Sequence, residues 1–460
     1  MNRFSNHGRL FLGALFVLTL GGCATYSQNM VPVRDSLLTG NVTQAVEDFK
    51  KLPAGQDDLL HMLQQGYLSH LSGDFLDSNN AFDAAEKRYQ ELYTVSLTNE
   101  ALSLVTSDNS RPYRSNEQEM ALIPYYRIFN YLDQGKPNDA LVEARKANDS
   151  HKVDLTQASQ MSEKDLRFKA FLNYVTGLLF AAQGESNDAI VSLRAAYQLY
   201  KLGNSSFGLS VPRWLPADYY DAAIQVGLQD EVRPLTKSYP NILSLAQRSH
   251  RDNVVLFLES GFVPYREGVD LFLPLYKTDN SQEAARHYVT TCGGNIYSYR
   301  VKPVKLDQFL RISFPILTPF PGEVASSQVL NPSGDPIASE RGLNLASETE
   351  LQFKEDTGDI LLRTILRILA KQGTLKAAQG QSSGLGALVN IFNVATEQAD
   401  TRSWLLLPGR IDLVKLSVAP GTMSLTVRFL DANGGIVEEK QVALDPLASQ
   451  PQWLSVRCFK

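Results

Sequence analysis

The block EQADTRSW, residues 397–404, brings two carboxylates, a guanidinium and an indole into one short stretch. Glu397 and Asp400 would serve glycan hydrolysis only if they faced one pocket at roughly 5 to 9.5 Å. A second reading gives Arg402 and Trp404 to a partner protein. A third is structural: Arg402 pairs with Asp400 or a nearby carbonyl, and Trp404 plugs the core where a strand begins. We adopt the structural reading and keep partner binding by Arg402 and Trp404 beside it. The other chemistry-bearing residues form no constellation. His61, His70, His151, His250 and His287 are scattered, with no His-Glu-x-x-His and no paired Cys/His ligands, so no metal is expected. His70, close to a helix end, is expected to be a solvated cap partner. No Gly-x-Ser-x-Gly elbow occurs, and GQSSGLG (380–386) lacks the Gly-Lys-Ser/Thr of a phosphate loop and reads as a helix break. The chain is therefore expected not to be an enzyme and to need no cofactor, with a carbohydrate-active hydrolase as the alternative.

The three cysteines are Cys23, Cys292 and Cys458. Before Cys23 stand Arg3 and Arg9, an apolar core from Leu10 to Leu20, and Gly21-Gly22, which is the anatomy of a secretory signal. The core is too short to span a bilayer, which takes roughly 20 apolar residues. Leu20-Gly21-Gly22-Cys23 resembles a bacterial lipobox. That resemblance implies diacylglycerol on the Cys23 thiol, cleavage between Gly22 and Cys23, and acylation of the new amine. Ala24 and Thr25 follow where an Asp would mark the inner membrane, so the resemblance implies lipid anchoring in the outer membrane, facing the periplasm. Several acyl chains, at about 0.8 kcal/mol per CH₂, make a stable anchor. Cys292 and Cys458 either pair in an oxidising periplasm or stay buried and free; both readings remain open.

With 460 residues the chain has room for two or three domains. Its formal charge of −5 becomes −7 once residues 1–22 are removed, and no Lys/Arg run stands out, so nucleic acid is not an expected partner.

The elements that would position any site begin with a repeat. Gly66, Ser69, Gly73, Ser78, Phe82 and Ala85 recur in spacing as Gly177, Phe180, Gly184, Ala189, Leu193 and Ala196. The same offsets give Ile128, Tyr131, Gly135, Ala140, Ala144 and Ala147, and in part Gly40, Ala45, Phe49 and Leu52. This spacing resembles the tetratricopeptide repeat, a pair of antiparallel helices. The first small residue lets the two helices approach, and the second glycine ends the first helix in a left-handed conformation. Residues 23–245 are thus expected to form a tetratricopeptide-like α-solenoid with a concave groove. That groove either takes an envelope partner or packs on the chain's own C-terminal half. Tyr125, Tyr126, Tyr131 and Tyr174 lie on first helices, which line such a groove, so they are candidates for partner contact, with core packing the favoured reading.

From residue 246 to 460 the pattern turns to short β-rich runs, among them NVVLFLES, RIDLVKLSV and MSLTVRFL, with turn signals APG (419–421) and DANGG (431–435). Leu351, Phe353, Ile360, Leu361, Ile365, Ile368 and Leu375 mark a long amphipathic helix near 349–379. The expected fold class is α+β: helical repeats, then a β-rich α+β domain. TEQADTRSWLLLPGRIDLVKLSVAPGT (396–422), LESGFVPYRE (258–267) and FPILTPF (314–320), with the lipobox, resemble the blocks of a little-characterised family of Gram-negative outer-membrane lipoproteins with tetratricopeptide-like repeats. Genes of that family often lie beside those of lipoprotein activators of penicillin-binding proteins. The resemblance implies a scaffold or docking role in a cell-envelope assembly, linked to peptidoglycan synthesis. A subunit of an outer-membrane export or surface-polymer apparatus is the alternative.

Overall fold

The computed structural model describes residues 25–52, 58–96, 112–150, 158–249, 251–276, 306–361, 364, 399–448 and 450–460. Gly22, Cys23, Cys292, Glu397 and the expected helix beyond residue 364 lie outside them. The fold is mixed α+β, with helices first and sheets after. The helices are α1 (Tyr26–Asn29), α2 (Val31–Leu38), α3 (Val42–Lys50), α4 (Asp58–Ser72), α5 (Phe75–Ser96), α6 (Glu117–Asp133), α7 (Pro137–Ser150), α8 (Glu163–Ala182), α9 (Ser186–Phe207), α10 (Leu215–Gln225), α11 (Gln229–Ser238) and α12 (Ile242–Ser249). A further helix, α13, covers residues 345–361. No helix among the described residues is long and apolar enough to cross a membrane.

Helices α2/α3, α4/α5, α6/α7 and α8/α9 form hairpins. Gly40, Gly73, Gly135 and Gly184 make the turns at φ between +69° and +80°, with no neighbour that a Cβ would meet. Their requirement is conformational. Gly66 and Gly177 answer to a different constraint. A Cβ on Gly66 would come within 2.6 Å of the Phe82 ring, and one on Gly177 within 2.7 Å of Leu193. The hairpins are antiparallel, since Ser69 Oγ donates to Asp77 Oδ2 at 2.7 Å while Ser78 Oγ donates to the Gly66 carbonyl at 2.7 Å. His70 is buried rather than solvated. Asn130 Nδ2 donates to Ser78 and Asn79, so its Oδ1 accepts from His70 Nδ1 at 2.7 Å, and burial pushes the imidazole down to about 4.

The strands are β1 (Val254–Ser260), β2 (Tyr265–Tyr276), β3 (Leu306–Thr318), β4 (Ser326–Leu330), β5 (Pro336–Ala338), β6 (Glu340–Leu343), β7 (Arg410–Leu416), β8 (Ser424–Leu430), β9 (Ile436–Ala443) and β10 (Gln452–Cys458). One sheet has the order β10-β1-β7-β6, with β10 parallel to β1; a second has β5-β4-β8-β9; β2 and β3 form a separate antiparallel ribbon. Alternation along β1 explains the layering. Val255 and Phe257 join Ile411, Leu413 and Trp453 in the core shared with the helices. Val254, Leu256 and Leu258 join Val414, Val456, Val427 and Phe429 in a second core against the other sheet. The first sheet is thus buried on both faces, which is why NVVLFLES reads as one continuous apolar run. The boundary expected at 245/246 falls inside α12, and core residues from both sides of it share one cluster. Helix α13 starts at 345, ahead of the expected 349, because Asn344 Oδ1 caps it by accepting from Ser347 N at 3.1 Å.

Core packing, the favoured reading of the groove tyrosines, holds for Tyr125, Tyr126 and Tyr174, which are buried, and Tyr125 together with Tyr67 reaches the chain's own sheet. Tyr67 OH donates to Glu259 Oε2 at 3.3 Å and Tyr125 OH to Oε1 at 3.4 Å, while Arg457 Nε donates to Tyr67 OH at 3.1 Å. Tyr174 OH donates to Asp218 Oδ2 at 2.8 Å, and Lys415 Nζ on β7 pairs with Asp218 Oδ1 at 2.5 Å. Tyr126 is fully buried against Tyr67, Phe82 and Trp404, and only Tyr131, half-buried, takes a bond from Arg127 NH2 at 3.2 Å.

Two outcomes follow from this shared core. Residues 246–460 expressed alone should show no cooperative thermal transition by circular dichroism, whereas residues 23–460 should melt as one unit; two separate transitions would contradict a shared core. Burial raises the Glu259 carboxyl from 4.5 to about 7 despite Arg457 and the two tyrosines. A raised carboxyl contributes stability that is complete below about 4.5 and is lost as pH climbs to about 7. Glu259→Gln should flatten that fall, which is on the order of 3 kcal/mol, in urea unfolding at pH 5 and pH 8.

Candidate functional site

A cavity of about 320 Å³ lies where four parts of the chain converge: the approach to α6, the root of the β2–β3 ribbon, α13, and the segment 399–407. The first wall is built by a capping box. Asn116 Oδ1 accepts from Glu119 N at 2.7 Å and Asn116 N donates back to Glu119 Oε2 at 3.3 Å. The Glu119 carboxyl also accepts from Tyr113 OH at 2.8 and 2.7 Å, from Ser115 Oγ at 2.8 Å, and from Trp404 N at 3.3 Å. A helix cap thereby ties α6 to a segment 285 positions away.

The opposite wall carries Asp400, Arg402, Ser403 and Trp404 of the EQADTRSW block. Asp400 Oδ1 accepts from Arg402 N at 3.1 Å and from Nε at 2.8 Å, and Oδ2 accepts from NH2 at 2.8 Å. Burial would raise this carboxyl, but the Arg402 bonds outweigh it and hold it below the usual range. Asp400 is so committed to Arg402 that it is poorly placed to act as nucleophile or base. Arg402 is buried, and Trp404 is 1% exposed, packed edge-on to Tyr67 at 6.4 Å and tilted to Phe82 at 6.0 Å. Neither presents a surface to a partner protein. Trp404 stands six positions ahead of β7, just before the turn at 405–406, rather than at the strand's first residue.

Helix α13 and the ribbon supply the remaining polar groups. Arg266 NH2 lies 3.7 Å from Asp356 Oδ2 and its guanidinium sits 5.6 Å over the Phe353 ring. Asp356 Oδ1 accepts from Gln352 Nε2 at 2.8 Å. Glu348 is 3% exposed, and neither carboxyl oxygen has a hydrogen-bond partner. Burial raises its pKa to about 8, against smaller contributions from Arg167 and Lys164. The N-x-x-E spacing of Asn116 and Glu119 is a sequence signal for the cap; nothing in the sequence singles out Glu348.

A second buried cluster joins Ser249, Lys415 and Asp218. Lys415 Nζ donates to Ser249 Oγ at 2.6 Å, and Ser249 donates to Asp218. A serine beside a lysine can make a nucleophile, but this lysine is ion-paired to Asp218 and all three side chains are buried between helix and sheet. The cluster fixes α10 and α12 to β7. Cys458 is buried in the second core, where burial and Glu438 push its thiol up to about 12; its pairing with Cys292 falls outside the described residues. Among the described residues, no three His, Cys, Asp or Glu side chains are grouped to hold a metal ion.

No protein-family model matches this chain, and no curated protein matches it.

The Asp400–Arg402 pair makes the structural role testable. Arg402→Ala leaves a buried carboxylate without its guanidinium and should cost about 3 kcal/mol in urea unfolding. Arg402→Lys cannot reproduce the fork and should recover less than half of that. An unchanged midpoint in Arg402→Ala would remove the structural role.

Proposed function

We propose that this chain is a lipoprotein of the Gram-negative outer membrane, attached through Cys23 and facing the periplasm. It acts as a scaffold on which proteins of a cell-envelope assembly dock, in the setting of peptidoglycan synthesis. The resemblance to the lipoprotein family with tetratricopeptide-like repeats supports this reading, and the glycine-turned hairpins are compatible with a repeat stack. The observation that carries it is the start of the folded body. Helix α1 begins at Tyr26, three positions after Cys23. It is bonded into the body: Gln64 Nε2 donates to Tyr26 OH at 3.2 Å and Ser27 N to Thr401 Oγ1 at 3.4 Å. At roughly 3.3–3.6 Å per residue, a three-residue tether reaches only about 10 Å. A body held so close to the lipid is suited to partners at the membrane face. Because the inner faces of α4, α6 and α8 are occupied by the chain's own sheet, docking falls to the outer helices of the hairpins. There Val142 and Val191 stand at the same repeat position and are 53% and 59% exposed.

Cys23→Ala should abolish palmitate labelling and move the protein from the membrane pellet to the soluble fraction. In-cell cross-linking of the lipidated parent should capture envelope proteins, and Val142→Glu with Val191→Glu should weaken that capture at least severalfold. Membrane retention of Cys23→Ala, or an absence of cross-linked envelope proteins, would overturn the proposal.

A further inference from the structure

Strand β3 inverts the usual alternation of a strand that packs on a body. Ile312, Phe314 and Ile316 are only half-buried, whereas the residues between them, Ser313 and Pro315, are buried, Ser313 at 3% exposure. The register sets Val269 opposite Phe314 and Leu271 opposite Ile312, and continues the same face through Leu273 and Leu310. Val269 and Leu271 are half-buried as well. Among the described residues, none of Val269, Leu271, Ile312, Phe314 and Ile316 joins either hydrophobic core. At 3.3–3.4 Å per residue the ribbon runs to roughly 40 Å, and a two-stranded ribbon is marginal in water until its apolar face is covered.

The root of the ribbon shows which way each face looks. Arg266, Pro315 and Leu317 line the cavity, and a Cβ on Gly268 would lie 3.3 Å from Ala399 and 3.9 Å from Thr401. Tyr265 stands on the other face, at even spacing from Val269 and Leu271. The Arg34 guanidinium of α2 lies 4.6 Å over the Tyr265 ring and 5.3 Å over that of Phe320. Helix α1 touches β2 as well. The apolar face therefore looks to the side of the molecule where the N-terminal helices stand, and α1 begins three positions after Cys23.

We propose that this face of the ribbon lies on the lipid surface of the membrane, as a second contact beside the lipidated cysteine; the inference rests on the Cys23 anchor of the proposed function. A contiguous exposed apolar patch marks a membrane or protein contact, and its place on the side of the anchor selects the membrane. The boundary between headgroups and acyl chains takes Val269, Leu271, Ile312, Phe314 and Ile316, and Tyr265 at the root matches the preference of tyrosine for the headgroup level. The contact is shallow. The ribbon pairs with no further strand among the described residues, so its outer backbone groups need the water that the headgroup region supplies and deep insertion denies. A lipid at one point leaves the body free to turn about its tether; the ribbon fixes which helices face away from the membrane. A single shallow attachment is reversible, so the ribbon alone does not hold Cys23→Ala in a membrane pellet.

The test is flotation of purified residues 23–460 carrying Cys23→Ala with an excess of vesicles of phosphatidylethanolamine and phosphatidylglycerol. The unlipidated chain should partition onto the vesicles with rising lipid concentration. Ile312→Asp with Phe314→Asp should lower that partition at least tenfold at an unchanged melting temperature, while Val142→Glu with Val191→Glu on the outer helices should leave it as it is. Should the ribbon variant not fold, hydrogen–deuterium exchange of the unlipidated chain decides the matter: vesicles should slow the amides of β2 and β3 at least severalfold and leave those of α7 and α9 unchanged. No partition, undiminished partition of the folded ribbon variant, or ribbon exchange indifferent to vesicles would overturn the proposal. So would a dimer in sedimentation that the ribbon variant dissociates and vesicles do not, since the face then belongs to a second copy of the chain. Palmitate labelling of the chain with Cys23 intact is read separately. A labelled chain whose Cys23→Ala form does not float loses the ribbon contact alone; an unlabelled chain loses the anchor, and flotation still decides the face.

Discussion

Glu259 sits on β1 with its carboxyl on the helix side of a sheet whose two faces are otherwise apolar. An unpaired charge there would be costly by several kcal/mol. The surroundings answer with Tyr67 and Tyr125 from two different hairpins and with Arg457, the register partner of Glu259 on the parallel strand β10. Tyr67 OH accepts from Arg457 and donates to Glu259, so one hydroxyl links the two charges. Such a network adds little net stability over an apolar packing of the same shape. Its effect is on position. A one-residue slip of β10 would turn Arg457 to the far face of the sheet, among Val456 and Cys458's neighbours, and strand both charges.

That constraint fixes how the two halves of the chain meet. The first helices of successive hairpins must present Tyr67, Tyr125 and Tyr174 toward the sheet, and the sheet must offer Glu259 and Lys415 in return, with Asp218 relaying the second contact. Phe129, Phe257 and Trp453 fill the space between, with ring centroids 5.1 Å apart for the first pair and 5.4 Å for the second. The helices pack on one face of the first sheet and the second sheet on the other, in a layered core. The helices thereby serve as a wall of the fold.

How much of this is legible in the sequence depends on the distance over which each constraint acts. Gly40, Gly73, Gly135 and Gly184 were readable because a left-handed turn is a requirement of the local backbone. Gly66 against Phe82 was readable through the spacing within one hairpin. The Asp400–Arg402 pair was readable because its members stand two positions apart. The destination of Tyr125 and Tyr174 was not: periodicity tells which face of a helix is apolar, not whether a partner or the same chain covers it. His70 looked like a cap because it stands near a helix end, and only the neighbouring hairpin, through Asn130, makes it a buried neutral group. Glu348 looked like one more polar residue at the start of an amphipathic helix; its burial comes from α8 and the cavity wall, which no local pattern encodes.

The segment 399–404 connects these levels. Thr401 receives the amide of Ser27, the Ser403 carbonyl accepts from Gln64 at 3.3 Å, and the amide of Trp404 reaches Glu119. The same few residues form a wall of the cavity through Asp400, Arg402, Ser403 and Trp404. Helix α1 is therefore bonded to the segment that walls the cavity. The geometry of this short segment is pinned by the buried Arg402 fork. The tightly paired Asp400 and Arg402 thereby hold the stretch that joins α1, the first hairpins and the cavity wall.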